Sequence, residues 1–216
     1  EAYAIVGVPA ESKEDFEERF LEFGQELMEE FKHTEPRMRF TVNDVEEKVT
    51  EVMSNDDMCA LLITIVGLPN GVLAMSFAVP GLVETSSNLA SVKFNTEEGK
   101  VTITTSQRSS VESAKLYAAQ TIESVFFLAG FDVEHSDGYP GWSPNPDSKL
   151  LATTVECYRN LFATEPKVRA IHAGLECGLF LEKYPHLEMV SFGPTLRGVH
   201  SPDERLEIST VDKFWK

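Results

Sequence analysis

The sequence has few of the features that mark several protein classes. It contains 3 cysteines in 216 residues, an odd number without metal-ligand spacing. This argues against a disulfide-stapled secreted scaffold and predicts buried thiols in a reducing compartment. No apolar run is long enough to span a bilayer, the longest being Met58 to Leu68, and we expect no signal peptide.

Positive charge is also scarce. The chain has 19 Lys and Arg against 35 Asp and Glu, a formal net charge of -16. This balance argues against nucleic acid and against an anionic membrane surface as partners. Hydrophobic residues make up 42% of the sequence, enough for a packed core in one large domain or two modest ones.

Both ends of the sequence are abrupt. The chain begins at Glu1, without Met, in a strand-like apolar run from Ala2 to Val8, and ends at Lys216 in what looks like the start of a helix. We expect it to be a fragment of a longer protein whose missing part precedes Glu1.

Hydrophobic periodicity predicts an α+β layer in residues 1–137, with antiparallel sheet and helices on one face. The predicted order is strand, helix, strand, helix, strands, helix, strand. Thr96–Gly99 is typical of a hairpin turn, and Gly130 of a helix end. The apolar run 58–66 fits a helix or a strand by length, and the acidic residues before it favour a helix. The predicted elements are the strand 2–8, a helix from Ser12, the strand 38–42, a helix from Asn43, the strands 72–78, 89–94 and 101–106, a helix capped by Ser109 or Ser110 and ending at Ala129, and a strand from Phe131.

The order of predicted strands and helices changes at Gly138–Pro146. Three prolines and two glycines in this stretch predict a domain crossing. Beyond it, helices at 148–162 and 175–183 alternate with strands at 167–171 and 188–192. That alternation predicts an α/β part with parallel strands. A part of this size should need a partner segment to bury its core.

Two loops carry candidate functional residues. His200, within Gly198–Glu204, follows a predicted strand and lies beside a proline and two carboxylates, as a metal ligand could. The segment taken alone favours a solvated surface histidine over a metal ligand. Gly174 lies in a strand-to-helix turn whose backbone a ligand could approach, although an ordinary tight turn would look the same.

Arg108 stands between a predicted strand and a capped helix, where its planar fork could bind a carboxylate or simply be solvated. The polar stretch Val83–Ala90 lies between strands and suggests no chemistry. The sequence contains no nucleophile elbow, no Gly-rich phosphate loop and no two-histidine helix motif. From residues alone, it is an acidic two-part α/β protein with a candidate ligand-binding histidine.

Five blocks taken together resemble the aminoacyl-histidine dipeptidases (Xaa-His dipeptidases, peptidase D). That family belongs to the dinuclear-zinc peptidase superfamily, which includes aminoacylases and carnosinases. The two most specific blocks are the last two, and the order and spacing of all five agree with the family. The blocks are Val83–Ser86, Arg108–Ser110, Gly138–Trp142, His172–Gly178 and His200–Glu204.

The resemblance implies a catalytic domain interrupted by a lid domain. It implies two zinc ions, with most ligands and the glutamate general base in an N-terminal half that this chain lacks. On this basis, residues 1–137 are the lid or dimerisation domain, incomplete at its N-terminus. Residues 138–216 are the C-terminal α/β part of the split catalytic domain.

Residue by residue, the resemblance makes His200 a zinc ligand. It places Glu204 near His200, where Glu204 supports that ligand without binding the metal. It makes Arg108 the group that binds the substrate's carboxylate end, and Gly174 a backbone contact to substrate. It implies a cytoplasmic enzyme acting on dipeptides, with a possible homodimer formed through the lid. The fragment alone is expected to bind no zinc and to hydrolyse nothing. The alternatives are a non-catalytic dimerisation module, or a related amidohydrolase with another small amide substrate.

Overall fold

The computed structural model describes residues 2–46, 49, 51–77, 79–136, 138, 140–143, 145, 147–170, 176–199 and 201–216. Within these ranges the chain has a mixed α/β fold with two antiparallel sheets, which confirms the predicted class. It divides into two compact units, 1–59 and 60–216. In chain order the elements are α1 (Lys13–Glu30), α2 (Asn55–Gly67), β1 (Gly71–Met75), β2 (Val83–Asn95), β3 (Lys100–Ser109), α3 (Glu112–Leu128), α4 (Lys149–Phe162), α5 (Glu176–Lys183), β4 (Leu196–Arg197), β5 (Arg205–Leu206) and α6 (Val211–Trp215).

The first unit is built around α1, whose start after Ser12 was predicted. Ser12 occupies the N-cap position but makes no side-chain capping bond. Gly24 is buried on α1, and a Cβ added there would lie 2.7 Å from Cγ of Phe40. The Phe40 ring also meets Phe20 edge-on, with ring centroids 6.0 Å apart. The small residue therefore lets an extended segment pack against the helix.

Several elements predicted in the first unit are not formed by its described residues. Neither 2–8 nor 38–42 is a strand, and the helix expected after Asn43 is absent from the described part of that region. A strand needs a hydrogen-bonded neighbour, and neither segment has one in the sheets of the described chain. Apolar patterning alone did not reveal this.

The second unit contains a three-stranded antiparallel sheet in the order β1-β2-β3. β2 and β3 form the hairpin predicted at Thr96–Gly99. α3 covers this sheet and buries Ile122 and Phe126 against Leu68, with Leu89 and Ile103 of the sheet packed around them. The run 58–66 forms helix α2, as its preceding acidic residues indicated.

The end of α3 agrees with its glycine signal. Gly130 has φ of 80°, and its N–H donates to the carbonyl of Phe127 at 3.1 Å. The N–H of Phe131 donates to the carbonyl of Phe126 at 3.0 Å, and the two rings pack with centroids 5.8 Å apart. This pair of bonds with its apolar contact is the Schellman ending.

The N-terminus of α4 is capped from two places in the chain. Ser148 Oγ accepts a hydrogen bond from the N–H of Leu151 at 3.2 Å. The carboxylate of Glu188 accepts from the N–H groups of Lys149 and Leu150 at 3.1 and 3.0 Å. A carboxylate is favourable at a helix N-terminus, so Glu188 ties its segment to α4.

The parallel strands expected at 167–171 and 188–192 are not formed: residues 167–170 and 188–192 are not in strands. Both sheets formed by the described residues lie elsewhere in the sequence and are antiparallel. Helices α4 and α5 confirm the helical half of that prediction. The described residues contain no helix long and apolar enough to cross a membrane.

The chain exposes a large surface for its mass. Its accessible area is 17709 Å², whereas a compact protein of this mass exposes about 10,000 Å². Large apolar side chains on the outer faces of α2 and α3 account for part of the excess: Leu62, Ile63, Val66, Phe127 and Leu128. The prediction of buried cysteines is also wrong, since Cys59 and Cys157 lie on open helix faces and are exposed, and Cys177 is half-buried.

Candidate functional site

Strand pairing joins two of the sequence blocks singled out above. In the β2–β3 ladder Thr85 lies opposite Ser109, and Ser86 lies opposite Arg108. The polar stretch 83–86 is therefore the neighbouring strand of the block that contains the candidate arginine. The sequence suggested no role for this stretch, and its role in the fold is to support the end of β3.

A buried polar network fixes that end of β3. The hydroxyls of Thr85 and Ser109 are 2.9 Å apart and hydrogen-bonded, and each residue is 3% exposed. Ser109 Oγ also accepts from the N–H of Val111 at 3.0 Å, and the N–H of Ser110 donates to the carbonyl of Glu84 at 3.1 Å. Buried hydrogen bonds of this kind hold a backbone in one conformation.

The predicted cap of α3 differs in detail. Val111 is the N-cap residue, and Ser109 satisfies the N–H of Val111 itself rather than an N–H inside the helix. The sequence predicted that Ser109 or Ser110 caps this helix, but it did not reveal that both serines are buried. The available signal was the run of Ser and Thr at alternating positions of two strands, which places hydroxyls on one sheet face.

Arg108 is exposed and directly precedes the buried Ser109 and Ser110 at the end of β3. No hydrogen bond or ion pair joins its guanidinium to another residue in the part of the chain that the structure describes. An arginine on an anchored backbone with an uncommitted fork can bind a carboxylate through two parallel hydrogen bonds. The geometry therefore allows the role predicted for Arg108.

Gly141 of the third block and the following Ser143 contact the same strand end. Ser143 Oγ donates to the carbonyl of Ser110 at 2.6 Å. The N–H of Gly141 donates to a carboxylate oxygen of Glu112 at 3.3 Å. The sequence predicted a domain crossing in this stretch but not its contact with the end of β3. Local patterns do not reveal such a contact, because Ser143 and Ser110 are 33 residues apart in sequence.

The Glu112 carboxylate should report on this contact as pH changes. Partial burial acts to raise its pKa, but hydrogen bonds from Lys115 and from the N–H of Gly141, with the charge of Lys115, outweigh burial and lower it. Because the folded pKa is lowered, the contribution of Glu112 is present above the ordinary pKa of 4.5 and is lost as pH falls through the folded value. We expect the Gly141 amide resonance in an NMR titration to move in that acid range.

A Glu112→Gln variant provides the control, because glutamine keeps an acceptor for Gly141 but does not titrate. The acid-range movement of the Gly141 resonance should disappear in this variant. An unchanged titration would mean that another carboxyl, and not Glu112, controls that amide.

The fourth block, 172–178, is described only from residue 176, and the side chain of Glu176 is not described. The predicted substrate contact Gly174 therefore lies outside the described residues. The last residue of the block, Gly178 on α5, touches the crossing segment: a Cβ added there would lie 2.5 Å from the carbonyl oxygen of Pro140.

The described residues of the fifth block, 201–204, lie between β4 and β5, which pair as a short antiparallel hairpin. Gly198 has φ of 61°, and its carbonyl accepts from the N–H and hydroxyl of Ser201 at 3.1 and 2.7 Å. The predicted metal ligand His200 lies outside the described residues, and Glu204 is exposed. Within the described ranges no group of three or more His, Cys, Asp or Glu could hold a metal ion.

Comparisons with known proteins agree on one group of relatives. A family profile described as Peptidase family M20/M25/M40 matches residues 10–215. The cytosol non-specific dipeptidase of Escherichia coli (strain K12) is 34% identical over 216 residues, which is 100% of this chain and 44% of that protein.

A solved structure gives the same indication. The crystal structure of aminoacylhistidine dipeptidase from Vibrio alginolyticus matches with a TM-score of 0.79 and 38% identity. The match covers 96% of this chain and 42% of that one. The chain therefore spans less than half the length of these relatives.

Proposed function

The chain belongs to peptidase family M20/M25/M40, and on that premise we propose that it forms part of a zinc-dependent dipeptidase acting on Xaa-His-type dipeptides. Peptidases of this family are generally metal-dependent, and the two relatives above are dipeptidases by name. The single observation that carries the proposal is the family match across residues 10–215.

Within this proposal Arg108 binds the free C-terminal carboxylate of the substrate. Its support is the exposed guanidinium on a strand end that buried serines hold in place. A group that must find a free carboxylate near the scissile bond accepts dipeptides and rejects longer chains. In the binding step this residue forms a bidentate ion pair and orients the substrate.

The proposed metal centre cannot be built from the described residues, which contain no suitable cluster. When bound, zinc would supply an activated water to the reaction. We propose His200 as one ligand, with Glu204 supporting it, and Gly174 as a backbone contact to substrate. The remaining ligands and the general base are assigned to residues outside this chain, so the 216-residue chain alone should hydrolyse no dipeptide.

Three coarser features complete the proposal. Residues 1–137 serve as lid and 138–216 as part of the catalytic domain. A cytoplasmic location is supported by the cytosol relative. A homodimer through the lid is supported by the three-stranded sheet, where β1 and β3 each have one side without a strand partner among the described residues.

A second candidate is a dipeptidase with broad specificity. The Escherichia coli relative is named as non-specific, and its identity of 34% is close to the 38% of the aminoacylhistidine enzyme. The two candidates share Arg108 and the metal and differ only in how they treat the C-terminal side chain.

The test uses a protein that joins this chain to the remaining length found in its relatives. We expect it to hydrolyse Xaa-His dipeptides after zinc loading and to lose activity on the same dipeptides with an amidated C-terminus. Equal rates on Xaa-His and Xaa-Leu would favour the broad enzyme. No hydrolysis of any dipeptide by the zinc-loaded protein would refute both candidates, and the 216-residue chain alone serves as the negative control.

A further inference from the structure

Segment 140–143 lies against the backbone that follows Arg108. A Cβ added at Gly141 would lie 2.8 Å from the carbonyl oxygens of Ser109 and Ser110. Side-chain carbons do not approach carbonyl oxygens so closely, so only a glycine lets the two main chains meet here.

The same segment lies against α5 on another side. A Cβ added at Gly178 would lie 2.5 Å from the carbonyl oxygen of Pro140. Neither Gly141 nor Gly178 is among the described glycines with positive φ. Close contact, and not backbone conformation, therefore explains both glycines. Segment 140–143 therefore contacts both the end of β3 and α5.

Two polar contacts hold segment 140–143 in place. The hydroxyl of Ser143 donates to the carbonyl of Ser110 at 2.6 Å in a partly buried position. The N–H of Gly141 donates to the carboxylate of Glu112, which Lys115 also contacts at 2.8 Å. Both contacts fall within four residues of Arg108, so a shift of the segment would shift the strand end that carries the arginine.

We propose that segment 140–143 is a spacer that sets the distance between Arg108 and α5. Gly141, Ser143 and Gly178 are then positioning residues for the substrate carboxylate. This inference rests on the proposed function, in which Arg108 binds the carboxylate. Because the spacer lies against the strand end that carries Arg108, a displaced spacer should move the guanidinium away from its position for the carboxylate.

The main test is Gly178→Ala in the zinc-loaded protein that joins this chain to the remaining length of its relatives. The added methyl must push α5 and Pro140 apart, which displaces the spacer from the strand end of Arg108. We therefore expect the KM for dipeptides to rise about tenfold, with kcat and metal content unchanged. In an Arg108→Ala background the same substitution should add no further increase, because the contact it misplaces is already gone.

Ser143 provides a milder pair of variants in case Gly178→Ala fails to fold. Ser143→Ala removes the bond to Ser110 and should raise KM about three- to tenfold. Ser143→Thr keeps the hydroxyl and should restore most of the loss. Ser209→Ala is the matched control, since Ser209 is an exposed serine whose hydroxyl donates to a nearby carboxylate, Glu207.

The outcomes separate the spacer from the proposed function. If the effects of Gly178→Ala and Arg108→Ala multiply in full, or if Ser143→Thr is as impaired as Ser143→Ala, the spacer is refuted while the dipeptidase stands. If Arg108→Ala leaves KM unchanged, the carboxylate role and the spacer both fail. Independently of activity, the Gly141 amide should exchange its hydrogen faster in Ser143→Ala, and an unprotected Gly141 in the unmodified chain would refute the contact itself.

Discussion

Replacing Arg108 with alanine is expected to raise the KM for dipeptides by ~30-fold or more while leaving zinc content unchanged. Removing the charged partner of a carboxylate in a desolvated site costs about 2 to 5 kcal/mol of binding free energy. Arg108 is exposed in this chain, which argues for the lower end of that range. The measurement combines steady-state kinetics with metal analysis of the purified protein that includes this chain and the remaining length of its relatives.

Two variants control this experiment. Arg108→Lys keeps the charge but lacks the planar fork, so it should recover only part of the affinity. Arg19→Ala removes an exposed arginine from α1, where it pairs with Asp15, and should leave KM unchanged. Loss of zinc in Arg108→Ala would show that the residue supports the metal centre and would contradict the role proposed for it.

Replacing His200 with alanine is expected to do the reverse. A catalytic zinc site normally has about three protein ligands, and removing one lowers metal occupancy. The loss of rate should be at least about 100-fold, since even residues that only orient a ligand cost 10- to 100-fold. Added zinc should restore part of the activity, and the KM of the residual activity should stay close to that of the unmodified protein.

His33→Ala is the matched control, because His33 is an exposed histidine after α1. It should leave both zinc content and rate unchanged. If His200→Ala retains full zinc content and full rate, His200 is not a ligand, and one of the two most specific sequence blocks has no metal-binding role.

Local signals predicted much of the fold. The turn at Thr96–Gly99, the end of α3 at Gly130 and the helix predicted at 148–162 all depend on neighbouring residues, and all three were found. The predicted strands at 38–42 and 188–192 were not formed. A strand depends on a neighbour that may lie anywhere in a sequence, so local apolar patterning cannot guarantee it.

The candidate site shows the same division. The place of Arg108 at the end of a strand could be predicted, because the strand and the following helix both have clear patterns. The contacts of Gly141 and Ser143 with that strand end could not, because they join residues about 30 positions apart. Gly174 and His200 lie outside the described residues, so their roles stay predictions.

The large exposed area described above has a consequence for how the chain responds to denaturants and heat. Fully unfolded, a chain of this mass would expose about 35,000 Å², and a compact fold would bury about 25,000 Å² of it. With 17709 Å² already exposed, only about 17,000 Å² remains to be uncovered. Since the urea m value and the heat capacity of unfolding both scale with newly exposed surface, their totals over the two units should be about two thirds of the values for a compact protein of equal mass. Low totals in this chain would therefore reflect its exposed surface and not a loss of native structure.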